Sequence, residues 1–179
     1  VEVVDNFPDV AHQLPIHGQA LQYFEIEFRN GRAFHREGGT SRTSLATGGA
    51  SLEIDAVYHG PGILLSGMGG RYPSYFMIAH TPVEDGSVRV WHAALVKSPN
   101  RPAGADDIAL ARAFQAASRD AFAQDFEVWS NKKPAVNILQ LPEDGCHARG
   151  RQWYRQFYNP RGNAARAAER VDGVYGVRG

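Results

Sequence analysis

Short stretches with β-strand patterning recur between positions 20 and 96. Tyr23–Phe28 and Ser51–Tyr58 alternate apolar and polar residues, Ile63–Leu65 is a brief apolar run, and Tyr75–His80 and Ser87–Val96 continue the series. A period of two places alternate side chains on one face of a sheet, so these stretches predict antiparallel strands. Asn30-Gly31 and Glu84-Asp85-Gly86 carry hairpin-turn chemistry. Glu37–Ala50 is rich in Gly, Ser and Thr, which predicts a flexible loop. Val1–Val4 reads as a short β-like run. Asn6 is a suitable N-cap for a helix starting near Phe7 and Pro8, with Pro15 expected to kink or end it.

The period changes after a Pro/Gly-containing linker at 98–104. From Asp106 and Asp107 to about Asn131 the pattern is helical, with acidic residues at the start, where the helix dipole favours them. At about 100° per residue, one face collects Phe114, Ala121, Phe122, Asp125, Val128 and Trp129. Arg112, Arg119, Asp120 and Glu127 point the other way. Asp125 is therefore a lone carboxylate on the apolar stripe. A buried ionised carboxylate is too costly to be left alone, so it must be protonated, paired with a cation, or bound to a metal. Beyond the helix, Arg149–Tyr158 predicts a last amphipathic helix that Asn159-Pro160 ends, and the final 20 or so residues read as weakly ordered or peripheral.

This distribution of strands followed by a long helix fits one α+β domain, and 179 residues suffice for a sizeable core. The formal net charge is zero, so nothing favours a nucleic acid or another polyanion as partner. The single cysteine, Cys146, excludes an intrachain disulfide, a Cys-rich zinc site and an all-Cys iron–sulfur cluster within this chain. No apolar run reaches membrane-spanning length and no signal peptide is evident, so a cytoplasmic location is expected. The chain opens on Val1 without a Met, as expected if something preceded it.

The candidate chemistry lies near the start. Asp9, His12 and His17 form a D-x-x-H-x-x-x-x-H pattern. Asp9 and His12 are three apart and share a helix face. His12 and His17 are five apart, which an unbroken helix would separate by about 140°. A break at Pro15 would let them converge. Two imidazoles need a third ligand, and Asp125 offers one, giving a two-His-one-carboxylate set with open positions, as in non-haem Fe(II) oxygenases. The bland alternatives are two structural histidines and a buried salt bridge. His35, His59, His80, His92 and His147 lack comparable spacing and read as structural or surface groups.

These residues resemble the catalytic domain of the large subunit of Rieske-type non-haem iron oxygenases. Asp9, His12 and His17 fall on that family's ligand motif, and Asp125, within Gln124–Trp129, falls on its carboxylate ligand. Tyr58–Gly62, Thr81–Asp85, Val128–Lys132 and Trp153–Tyr158 look most like the steroid branch. That branch holds the ketosteroid 9-alpha-hydroxylase oxygenases and, more distantly, the cholesterol desaturases called Neverland. The likeness covers roughly 1–158, with 159–179 left as a peripheral tail. It implies a helix-grip fold (Bet v 1 or START-like), a curved antiparallel sheet around a long C-terminal helix. It implies mononuclear Fe(II) at His12, His17 and Asp125, an apolar polycyclic or steroid-like substrate, O2 as co-substrate, and monooxygenation. It also implies electrons from a Rieske [2Fe–2S] cluster, fed by a ferredoxin or reductase. That cluster is reached from a neighbouring subunit of a homotrimer through the motif aspartate, here Asp9. No pair of Cys-x-His and Cys-x-x-His segments is present to hold that cluster. Either the chain is a fragment or the cluster comes from another polypeptide. Two other functions compete with the oxygenase: a non-catalytic helix-grip module that binds a hydrophobic ligand, and a hydrolytic zinc enzyme built on the same ligands.

Overall fold

A computed structural model describes residues 2–41, 51–69, 73–133, 139–158 and 161–178. Among the described residues, seven antiparallel strands form one curved sheet. They are β1 (Gln19–Arg29), β2 (Arg32–Ser41), β3 (Leu52–His59), β4 (Ile63–Met68), β5 (Ser74–Glu84), β6 (Ser87–Val96) and β7 (Gly173–Arg178). Their order across the sheet is β6-β5-β4-β3-β2-β1-β7. The helices are α1 (Glu2–Asp5), α2 (Gln13–His17), α3 (Ala105–Asn131), α4 (His147–Tyr154) and α5 (Ala164–Glu169). The architecture is the α+β helix-grip arrangement. No described helix is long and apolar enough to cross a membrane.

Turn chemistry sets the register. Arg29 pairs with Arg32 across a two-residue turn, and Asn30 and Gly31 both take positive φ (52° and 74°), as the tight hairpin turn requires. Glu84 pairs with Ser87 around Asp85-Gly86, where Gly86 but not Asp85 takes positive φ (77°). With register fixed, Phe24, Ile26 and Phe28 on β1, Ala33 on β2, and Ala56 and Tyr58 on β3 all turn to the buried face. Val4, Phe7, Trp153 and Val171 close over them and complete the core. Trp153 donates its indole N–H to the Gly31 carbonyl at 3.0 Å, which ties α4 to the β1–β2 turn.

Several expectations are corrected. Val1–Val4 is not a strand in its described residues, because Glu2–Asp5 is one helical turn. No helix starts at Phe7 and Pro8: residues 6–8 form turns and the helix begins at Gln13. Pro15 neither ends nor replaces it, because it sits in the first turn, where the missing N–H has no intrahelical acceptor in any case. The helix stops at Gly18, whose φ of 66° lets its N–H return to the preceding turn. Glu37–Ser41 is not loop but the end of β2, and the rest of that predicted loop lies outside the described residues. Along α3, Phe114 and Asp125 are buried, whereas Val128 and Ala121 are exposed, so the apolar stripe is narrower than the periodicity implies. The C-terminal segment is not peripheral. Its strand β7 pairs with β1 from Tyr23↔Arg178 to Phe28↔Gly173, and Val171 is fully buried.

Candidate metal centre

The short helix α2 lies between the end of the N-terminal segment and β1, and α3 passes beside it. His12 is the residue preceding α2 and His17 is its last residue. His12 has helical φ/ψ (−76° and −18°) and its carbonyl accepts the Ile16 N–H at 2.9 Å, and the two rings meet edge to face with centroids 5.1 Å apart. Asp125 comes from the buried side of α3. The three side chains offer ligand atoms that all lie within 4.8 Å of one another.

The contacts around these groups are polar and specific. His17 Nε2 lies 3.3 Å from Asp125 Oδ1, and its Nδ1 lies 3.1 Å from Gln124 Oε1. Asn6 donates its amide N–H to Asp125 Oδ2 at 3.3 Å. Asp125 is 3% exposed, and among the described residues its polar partners are His17 and Asn6, with no arginine or lysine. The salt-bridge alternative therefore finds no arginine or lysine among the described residues, and its one candidate cation is a protonated His17. Burial pulls the His17 pKa down, but the Asp125 carboxylate, Gln124 and the more distant Glu37 outweigh it, and the net direction is up.

Asp9 stands beside His12. Its Oδ1 accepts the backbone N–H groups of Ala11 (3.0 Å) and His12 (3.3 Å), and its Oδ2 lies 3.7 Å from His12 Nδ1. His147 approaches from the other side, with Nε2 3.8 Å from Asp9 Oδ1. Burial alone would raise the Asp9 pKa. The two imidazoles and the His12 N–H outweigh that, and the carboxyl is held below its ordinary value. The Asp9 backbone also forms a bridge with Gly145. Gly145 has φ of 94°, and a Cβ there would sit 2.0 Å from the Pro8 carbonyl oxygen, so only glycine allows this close approach.

The donor set suits a metal. Two imidazoles and one carboxylate match divalent iron or zinc. The His12 Nδ1 is buried without a hydrogen-bond partner among the described residues, facing Asp9, which would fix the ring as a carboxylate–histidine pair does in metal sites. A spread of up to 4.8 Å is wider than the roughly 3–4 Å that metal bonds of about 2.1 Å impose, a gap that small side-chain rotations close.

All three side chains line a cavity of about 210 Å³ between the helices and the sheet. Ile54, Leu64, Ile78 and Phe122 give it apolar walls. The sequence reading missed two further lining residues, His35 and Glu37, which are 8% and 2% exposed. Glu37 was hidden because its strand runs on into glycines. Their two-residue spacing after Ala33 was the available signal, since all three turn to one face of β2. Asn6, Gln124 and His147 were missed as partners because distance in sequence conceals them.

A family model described as the 3-ketosteroid 9alpha-hydroxylase C-terminal domain matches residues 1–158. The chain belongs to this family. Oxygenase components of 3-ketosteroid-9-alpha-monooxygenases are its relatives. One from Rhodococcus rhodochrous is 32% identical over 170 residues, which is 88% of this chain and 43% of the relative. One from Mycolicibacterium smegmatis is 33% identical over 171 residues (88% and 44%), and one from Mycobacterium tuberculosis is 30% identical over 167 (88% and 43%). The chain thus spans less than half the length of these relatives. The family match includes every residue of the candidate centre, whereas β7 lies beyond it.

Proposed function

We propose that this is the catalytic domain of a Rieske-type non-haem iron monooxygenase acting on a steroid-like or other polycyclic apolar substrate. The observation that carries the reading is the convergence of His12, His17 and Asp125 on one buried cavity. Fe(II) held by these three side chains supplies the O2 activation that C–H hydroxylation needs, with electrons from a Rieske [2Fe–2S] cluster of another domain or chain.

The chain's own residues do the rest. His12 and His17 bind as neutral imidazoles, so metal binding releases any proton that His17 carries. Asn6 and Gln124 hold Asp125 and His17 in orientation. Asp9, between His12 and His147, is the carboxylate facing the electron donor, which a homotrimer would bring from a neighbouring subunit. The apolar walls exclude water and hold the substrate by burial. The cavity is smaller than the roughly 300–1,000 Å³ common for ligand sites, so a polycyclic substrate requires it to widen.

The test is turnover of a ketosteroid by the iron-loaded protein, supplied with a Rieske donor and reductase under 18O2. One labelled oxygen per product molecule is expected. Iron-loaded protein that binds the steroid and never oxidises it would instead make the domain a binding module.

A further inference from the structure

A series of aromatic side chains leads from the candidate metal centre to the protein surface. Tyr58, on β3, lines the same cavity as His12, His17 and Asp125 and is 1% exposed. Its ring centroid lies 5.7 Å from that of Trp153. Trp153 lies 5.9 Å from Tyr154, and Tyr154 lies 5.8 Å from Tyr158. Tyr158 ends the series at the surface, 55% exposed. Core packing by itself gives such spacings. It does not require every ring in the series to be tyrosine or tryptophan, the aromatic side chains that give up one electron most readily. Nor does it require a base at the inner end. Tyr58 Oη lies 2.9 Å from His80 Nε2 in a buried pair. Burial pushes the Tyr58 phenol up and the His80 imidazole down. The phenol therefore keeps its proton, and a neutral imidazole protonated on Nδ1 accepts at Nε2. A phenol loses an electron easily only where its proton can leave with it, and His80 is placed to take that proton.

We propose that Tyr58, Trp153, Tyr154 and Tyr158 form an electron path that carries oxidising equivalents from the metal cavity to the surface when O2 is activated without substrate. The proposal rests on the oxygenase reading above. A one-electron oxidant in the cavity takes an electron from Tyr58, and the phenolic proton passes to His80 Nε2. Trp153, Tyr154 and Tyr158 then each pass one electron inward, and His80 returns the proton to Tyr58. Tyr158 is left oxidised at the surface and releases its phenolic proton to water. A thiol in solution restores it by giving one hydrogen atom, and two thiols so oxidised pair as a disulfide. The path spares the two histidine ligands, which lie nearest the oxidant.

The experiment treats iron-loaded protein with hydrogen peroxide, without steroid, in the presence of a nitroso spin trap, and maps the adducts by peptide mass spectrometry. Tyr75 is the internal control, because it is 65% exposed and belongs to none of these ring contacts. Tyr158 should carry several-fold more adduct than Tyr75, and protein without iron should carry little on either. Trp153→Phe should abolish the excess on Tyr158 and move oxidation to Tyr58 and the ligand histidines, with iron content unchanged. Tyr58→Phe removes only the hydroxyl and should abolish the same excess, so the test stands even if Trp153→Phe does not fold. Equal labelling of Tyr75 and Tyr158, an excess on Tyr158 that survives both substitutions, or no adduct at all in the iron-loaded parent would overturn the path. Steroid oxidation under 18O2, scored separately on the same preparation, decides the monooxygenase reading, so the two can fail independently.

Discussion

Asn6 and Asp125 are 119 positions apart in sequence and joined by one hydrogen bond, amide N–H to carboxylate Oδ2 at 3.3 Å. That bond leaves Oδ1 to face His17. Asn6 thus sets the orientation of a carboxylate that no arginine or lysine among the described residues holds. Replacing Asn6 with Ala should lower metal affinity by roughly ten- to a hundredfold, the usual effect of losing a group that orients a ligand. Competition against a chelator of known affinity measures it, and fold and secondary structure should be unchanged.

Arg151 grips Asp5 through two or more N–H groups, with its Nε 2.9 and 3.0 Å from the carboxylate oxygens. This pair fastens α1, and so the start of the metal-bearing segment, to α4. The partners are unequal, because the Asp5 side chain is 5% exposed and that of Arg151 is 23% exposed. Arg151→Ala strands a buried carboxylate and should cost about 3–5 kcal/mol, the range for breaking a buried pair from one side. Asp5→Ala leaves a partly hydrated guanidinium and should cost less. Urea denaturation of both variants gives the order directly.

Val171, fully buried in the core, lies beyond the stretch matched by the family and just before β7. Truncation to Ala should destabilise the domain by about 2 kcal/mol through lost burial and an unfilled cavity. Thermal unfolding would register this as a clear drop in Tm. A neutral result would mean that the C-terminal segment does not pack on β1 in solution.

Burial pushes the Cys146 thiol up to about 11, against smaller opposing effects of a backbone hydrogen bond and Arg149. At pH 8 about one thiol in a thousand is then ionised, against roughly a quarter for an ordinary cysteine. Alkylation by iodoacetamide should be about a hundredfold slower in the folded protein than in urea. The native rate should rise about tenfold per pH unit up to about pH 10, and mass spectrometry of quenched samples follows it.

What was legible in the sequence follows from which signals are local. The strands from Leu52 to Val96, the turns at Asn30-Gly31 and Asp85-Gly86, and the extent of α3 were all readable, because alternation, turn chemistry and helical period act within a few residues. Asp125 stood out because burial of a carboxylate is costly wherever its partners lie. The failures have physical causes too. Glu2–Asp5 has strand-like composition but packs as a helical turn, where the Asp5–Arg151 pair holds it. Glu37–Ser41 looks like loop because glycines carry no pattern, yet Gly38 and Gly39 lie where Tyr23 and the β1 backbone leave no room for a Cβ. β7 was invisible because its partner β1 lies about 150 residues earlier. The convergence of His12 and His17 was anticipated through a break at Pro15; the helix instead runs through Pro15 to His17, and the two rings still meet with centroids 5.1 Å apart.

The central claim is that His12, His17 and Asp125 hold one metal ion. It is tested most directly by elemental analysis of the iron-reconstituted protein beside Asp125→Ala and His17→Ala. Near one iron per parent chain, and little in either variant while both remain folded by circular dichroism, is the predicted result. A folded parent that retained no more iron than the two variants would contradict the account.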